Sequence, residues 1–227
     1  FSKMQILGKM NIFRFLGDMS HVFSIIVLLL RLRVAKNANG ISLKTQELFL
    51  IVFVARYLDL PLHFYSLYNT FMKMIYISAT GYIVYMIRKV EPLKSTYDKS
   101  QDSFKHLEFA VAPSAILTVI FHLFRWRFDL IEMCWEFSVI LESITIIPQL
   151  ITLQRYREVE NLTSNYIFFL GLYRGMYLFN WVYRSYYEEG YRHHYILYVF
   201  GMLQTALYLD FFYYYAIAKF KGQRMAL

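Results

Sequence analysis

NYIFFLGLYRGMYLFNWVYRSYY, Asn165–Tyr187, is apolar or aromatic over almost its whole length, yet it carries Arg174 near its middle and Asn180 and Arg184 nearer one end. More than about twenty such residues are enough to cross a bilayer as a helix. A guanidinium in hydrocarbon costs about 2.5–3.5 kcal/mol on insertion scales, so it belongs against protein or a wet cavity. At about 100° per residue, Arg174, Trp181, Tyr177, Arg184, Tyr173 and Asn180 fall within an arc of about 120°. Phe168, Leu172, Gly175 and Phe179 occupy the opposite face, fit for lipid or packing. The polar arc is one wall of a cationic, aromatic-lined cavity, and such a wall suits an anion.

The rest of the chain has the same character. Its 227 residues are 58% hydrophobic and 20% aromatic, with a net charge of +8, and the charges cluster between apolar runs. That composition points to a polytopic, all-α membrane protein rather than a soluble domain. The basic residues lie in short connections between spans, where they set topology, so no nucleic-acid partner is expected and the lipid bilayer is. The lone Cys134 excludes an intramolecular disulfide. No cleavable signal sequence is evident, because no small-residue cleavage site follows the first apolar run.

Residues 1–9 have the look of an upstream extension, with Met10 the natural beginning of a single domain, 10–227. Seven spans are expected, at about Phe13–Leu32, Leu43–Leu60, Asn69–Ile87, Leu107–Phe124, Leu130–Leu153, Asn165–Tyr187 and His194–Phe220. Pro113 is expected to kink the fourth and Pro148 to break the fifth. Arg33, Lys36, Arg88, Lys89, Lys94 and Arg155 lie on the side of the C-terminus. The positive-inside rule therefore puts the C-terminus and its short tail, 219–227, in the cytosol and the N-terminus in a lumen. The sequon at Asn161 then stays unglycosylated.

Several polar residues fall inside these spans: Arg14 and His21 in the first, Arg56, Tyr57 and Asp59 in the second, Glu132, Trp135 and Glu142 in the fifth, Asp210 in the last. Arg14, Arg56 and Arg184 have few acids beside them, which predicts cationic donors left over for the carboxylates of a ligand. His21 is the side chain that titrates near physiological pH without special shifting. Asp18 is expected to cap or pair near the start of the first span, Asp210 to pair with an arginine, and Lys73 to snorkel towards the headgroups.

Collinear motifs now carry a resemblance over nearly the whole chain. They are MNIFR at Met10–Arg14, GDMSH at Gly17–His21, GISLKTQ at Gly40–Gln46, RYLDL at Arg56–Leu60 and SLYNT at Ser66–Thr70. FSVILES and IIPQL follow between Phe137 and Leu150, then FFLGLYR, NWVYR, and DFFYYY at Asp210–Tyr215. The sequence resembles the KDEL receptors, the ER lumen protein-retaining receptors. The resemblance implies seven helices in two three-helix bundles plus a linking helix, similar to the SWEET and PQ-loop transporters. It implies a Golgi and endoplasmic reticulum receptor that binds the C-terminal Lys/His-Asp-Glu-Leu signal of escaped soluble residents and returns them in retrograde vesicles. By motif, Arg56 and Tyr57 hold the signal's terminal carboxylate, Arg14 its glutamate, and Arg184 with Trp181 its aspartate. Asp59, Glu132 and Trp135 receive its basic head. His21, Glu142 and Tyr173 form a proton-operated lock, supported by Arg174, Tyr177 and Asn180. Lys219, Lys221 and Arg224 in the tail bind the vesicle coat, coatomer. Departures from the family pattern are the basic Tyr187–His194 segment, Pro61 and His63 after the second span, and Arg224 in place of a lysine.

The alternative is a small-solute transporter on the same scaffold. A transporter needs a path to both sides, whereas Arg14 and Arg184 gather at the lumenal end. A G-protein-coupled receptor lacks its motifs here. No metal cluster, nucleophile pair or phosphate loop is present in the sequence, so neither an enzyme nor a cofactor is expected.

Overall fold

The computed structural model describes residues 10–226 apart from 63, 65, 127, 157, 192, 223 and 224. The proposed extension 1–9, His63 and Arg224 therefore lie outside the described residues. In chain order the helices are α1 (Ile12–Ala35), α2 (Leu43–Arg56), α3 (Leu67–Lys89), the single turn α4 (Leu93–Thr96), α5 (Ala112–Arg125), α6 (Leu130–Ile144), α7 (Ile147–Tyr156), α8 (Asn161–Tyr187), α9 (Tyr195–Leu207) and α10 (Leu209–Lys221). A π-helical stretch, Leu107–Val111, leads into α5. Strand structure among the described residues amounts to two two-residue segments.

Among the described residues, four stretches are long and apolar enough to cross a membrane: α1, α3, Leu107–Arg125 and Tyr195–Lys221. The other predicted spans divide differently. The second is shorter than expected: α2 has 14 residues and stops at Arg56. Pro61 has no N–H and its ring bars the carbonyl four residues earlier, so the chain turns from Tyr57 to Leu62. Arg56 thus ends a helix instead of lying mid-span. The fifth is two helices, α6 and α7, parted just ahead of Pro148. The sixth, α8, spans about 40 Å at about 1.5 Å per residue, but its arginines and tyrosines make it more polar than the four. The last is interrupted at Tyr208, where a tighter bond from its N–H to the Thr205 carbonyl replaces the α-helical one. The kink expected at Pro113 takes the form of the π-turn before it, in which Ala112 N–H reaches back to Leu107 O.

The chain forms two compact units, with α1 contributing to both. The first holds the chain up to Leu28 together with Glu160–Met225, and the second runs from Leu29 to Val159. In the second unit α2 is the centre, packed against α3, α6 and α7. Leu48, Val52, Ile83 and Leu141 are completely buried. Where lipid tails are as apolar as the core, this interlocking holds the helices more than exclusion of water does. One polar device fixes the centre. Thr45 Oγ1 donates to Thr145 O and accepts from Gln149 N–H, at 3.1 and 3.0 Å. Those are the two groups that would bond directly had the helix continued, so the Thr45 hydroxyl bridges the break that Pro148 imposes.

The end of this unit where α1 leaves and α2 begins is knitted by buried Asp102. It accepts from Ser42 Oγ at 2.9 Å, Lys44 N–H at 3.2 Å and Tyr97 OH at 2.7 Å. Burial first, and the bond to Asp102 second, push the Tyr97 phenol well above its ordinary range, so it stays a donor. Nearby, His106 lies 3.1 Å from Glu47. Burial holds its pKa below the ordinary histidine value against the opposing pull of Glu47. The contribution of His106 to stability is full above that ordinary value and falls as acid forces a proton on it.

Candidate functional site

In the first unit the side chains of α8 divide as its periodicity predicts, with the charges inward. Tyr173, Arg174, Asn180, Trp181 and Arg184 are buried, while Phe179 on the opposite face is 55% exposed. α1 supplies a second row: Arg14, Asp18, Ser20, His21 and Ser24 are all buried. Tyr177 OH donates to Asp18 Oδ1 at 2.5 Å. A Cβ on Gly17 would sit 3.0 Å from the Tyr177 ring, so glycine admits this approach. His21 stacks flat on Tyr173, with ring centroids 4.3 Å apart and 8° between planes. Tyr177 meets Tyr173 edge-on, and the Arg174 guanidinium lies 4.7 Å from the Tyr173 ring centroid.

The start of α1 is tied to the same row. Asn11 Oδ1 accepts from the Arg14 N–H at 2.9 Å, and its amide donates to Asn180 Oδ1 at 2.6 Å. Asn180 therefore orients the turn that carries Arg14, a support role with a visible means. Trp181 has its ring against Gly201 of α9, where an added Cβ would come within 2.4 Å of it. Arg184 is paired with Glu188 through two of its nitrogens, at 2.5 and 3.3 Å, and lies over the Tyr191 ring. Neither Glu188 nor Gly201 was singled out from the sequence, although Glu188 stands one helical turn from Arg184.

The second unit gathers Arg56, Trp135 and Glu142. Arg56 forms an ion pair with buried Glu142. It donates through Nε to Ser138 Oγ and through Nη2 to Ser138 O, both at 3.1 Å. Ser138 Oγ in turn donates to the Trp135 carbonyl at 2.6 Å. The expectation that Arg56 and Arg184 stand without acids is therefore overturned: each has a carboxylate from this chain. Tyr57, the cap of α2, stacks parallel to Phe53. Asp59 is buried in the turn beyond and accepts from Lys73 Nζ at 3.4 Å. Lys73 does not snorkel. It is buried and serves as the counter-ion of Asp59, because an acid without one in this interior would cost several kcal/mol. Glu132 and Trp135 are half-buried in the first turns of α6, whose N–H groups at Ile131 and Glu132 are capped by Asp129. Asp210 is exposed on α10. Among the described residues no group of three metal-ligating side chains comes together.

A buried histidine stacked on tyrosine thus lies within rows of arginines and acids on apolar helices. The sequence profile of the ER lumen protein retaining receptor family matches residues 37–184. The chain belongs to this family. An ER lumen protein-retaining receptor of Petunia hybrida is 48% identical over 206 residues, covering 91% of this chain and 94% of that protein. The receptor of Dictyostelium discoideum is 48% identical over 222 residues, 96% of this chain and 99% of its own. That of Plasmodium falciparum is 42% identical over 218 residues, 96% and 97%. The chain is thus a receptor for the retention of ER lumen proteins, with helices apolar enough to cross a membrane. At its far end α10 closes with exposed Lys219 and Lys221, and Gly222 takes up a left-handed backbone, φ 62°, as the C-cap.

Proposed function

We propose that this retention receptor binds the free C-terminal Lys/His-Asp-Glu-Leu tetrapeptide of soluble ER residents in the Golgi, in a proton-dependent way, and returns them by retrograde vesicles. In this reading seven helices cross the membrane in a SWEET-like arrangement, with the N-terminus lumenal and the C-terminus cytosolic. The observation that supports it best is the buried row of Arg14, Arg174 and Arg184 interleaved with Tyr173, Tyr177, Trp181 and stacked His21. Three negative groups and one positive on the tetrapeptide call for such donors and for an acid–aromatic corner. Arg56 and Tyr57 take the terminal carboxylate, Arg14 the glutamate, Arg184 and Trp181 the aspartate. Glu132 and Trp135 receive the basic head, with Asp59 contributing its field while bound to Lys73. Arg56 and Arg184 exchange their internal carboxylates for those of the ligand, which keeps each guanidinium paired in both states. Binding of a short peptide with a free or an amidated C-terminus, at mildly acidic and near-neutral pH, tests the reading. Equal affinity for the two peptides refutes it.

Gly201 makes a finer test of the role given to Trp181. Gly201→Ala drives a Cβ into the indole, whereas Gly171→Ala makes an equally close contact with Phe212. Overpacking of this kind costs about 1–3 kcal/mol. Both variants should lower the melting temperature, and Gly201→Ala alone should weaken the peptide, by about tenfold at about 1.4 kcal/mol per decade. Equal affinities in the two variants remove Trp181 from the site.

The tail is proposed to carry the coat signal. Replacing Lys219, Lys221 and Arg224 together with serine should hold ligand-bound receptor in the Golgi, seen by microscopy, with peptide affinity unchanged. Normal ligand-induced redistribution of that variant places the signal elsewhere.

A further inference from the structure

The second unit contains a buried acid that the reading above does not use. Glu136 follows Trp135 on α6 and is 1% exposed. Its Oε2 accepts from Arg125 Nη1 at 3.0 Å and lies 3.5 Å from His122 Nδ1. Its Oε1 is buried and has no hydrogen-bond partner. His122 is equally buried, and the same Nδ1 stands 3.1 Å from the Thr118 carbonyl. Ser114, Thr118 and His122 recur at every fourth residue of α5, so a buried polar stripe on that helix meets the acid on α6. Arg125 is the outer member, with 46% of its side chain exposed.

The geometry points to His122 and Glu136 as a proton-binding site, taking up one proton as a pair. Arg125 alone balances the carboxylate while the imidazole is neutral, leaving the cluster without net charge. The half-satisfied carboxylate still offers lone pairs to a second cation, and burial of this depth excludes most of them. A proton reaches such a pair without opening the packing. It adds one positive charge, which the outward-facing Arg125 can accommodate by leaning to water. Several other charges on the elements packed here are already engaged. Arg56 on α2 is held by Glu142 and Ser138, Asp129 caps α6, and exposed Glu108 on the π-turn pairs with Lys105. Glu132, one turn away on α6, adds a negative field that favours the proton. Because the two groups interact closely, the titration belongs to the pair.

For the function this means a second proton site, in a different unit from His21. That consequence rests on the proposed peptide binding; the site itself does not. It is tested first in purified, ligand-free receptor, by ring-nitrogen NMR of labelled histidine from about pH 5 to about pH 8. The His122 signal is assigned by its loss in His122→Gln. It should titrate in this range. Its midpoint should fall by about one pH unit or more in Glu136→Gln, which removes the attracting charge, and rise in Arg125→Gln, which removes the repelling one. If Glu136→Gln does not fold, the rise in Arg125→Gln decides alone. A His122 that does not titrate, or that moves in neither variant, overturns the proposal. The consequence is read separately: His21→Ala should keep a shallow pH dependence of peptide binding that His21→Ala/His122→Gln loses.

Discussion

Arg56→Ala is expected to abolish detectable binding of a signal peptide. Arg56 ends α2 with its guanidinium held by Glu142 and by both oxygens of Ser138. In the proposed cycle it passes from Glu142 to the terminal carboxylate of the ligand. Truncating one partner of a buried charge contact costs about 2–5 kcal/mol. At about 1.4 kcal/mol per decade, affinity should drop by about thirtyfold to about four-thousandfold. The single variant also strips Glu142 of a counter-ion in a site where that acid is buried, and the loss of stability can reach about 3–5 kcal/mol. Arg56→Met combined with Glu142→Gln separates the effects. It removes both charges, should restore the melting temperature towards that of the parent, and should still fail to bind. Arg56→Lys should fail largely as well, because an ammonium cannot span two acceptors in one plane. Calorimetric titration with a free-carboxylate peptide measures all of this, and parental affinity in the double variant would end the case for carboxylate capture by Arg56.

The arginine face of α8 could be seen in the sequence because it is local. A repeat of about 3.6 residues puts Tyr173, Arg174, Asn180, Trp181 and Arg184 together whatever the rest of the chain does. The end of α2 was also within reach, since Pro61 forbids a helical Tyr57 carbonyl bond and so stops the helix near Arg56. What could not be seen were pairings set by packing. Thr45 enters the gap between Thr145 and Gln149 from about a hundred residues away, and no spacing announces it. The partners of Arg56 lie on another helix, so counting acids near it in sequence misses the carboxylate that Glu142 supplies. The position of Lys73 within a span points to the headgroups, yet the turn after α2 brings Asp59 to it. His122 and Glu136 each lie within an apolar run, where a polar residue is easily assigned to packing. The four-residue recurrence of Ser114, Thr118 and His122 was the signal for that cluster.

His21→Ala is expected to weaken peptide binding at mildly acidic pH and to make the pH profile shallower. His21 is buried on α1 and stacked on Tyr173, and charged groups stand near it in this unit. Asp18, one turn earlier, favours the imidazolium and is bound by Tyr177 OH. Arg174 lies close to the other ring of the stack and disfavours it. The ligand adds to them three negative groups against one positive. An anionic ligand and a proton on His21 each favour the other by the same factor. Binding should therefore take up a proton, strengthen in the acidic Golgi and relax in the near-neutral ER. One proton linked in this way changes affinity by at most about tenfold per pH unit. The alanine variant loses that slope and keeps the neutral-pH affinity nearly unchanged, because the neutral imidazole contributes a stacked ring and no charge. His21→Gln, which keeps a polar group of similar reach, should behave like alanine if protonation is the cause and like the parent if hydrogen bonding is. Affinities measured from mildly acidic to mildly alkaline pH in the three proteins decide the matter, and a parental slope in both variants would show that His21 carries no linked proton.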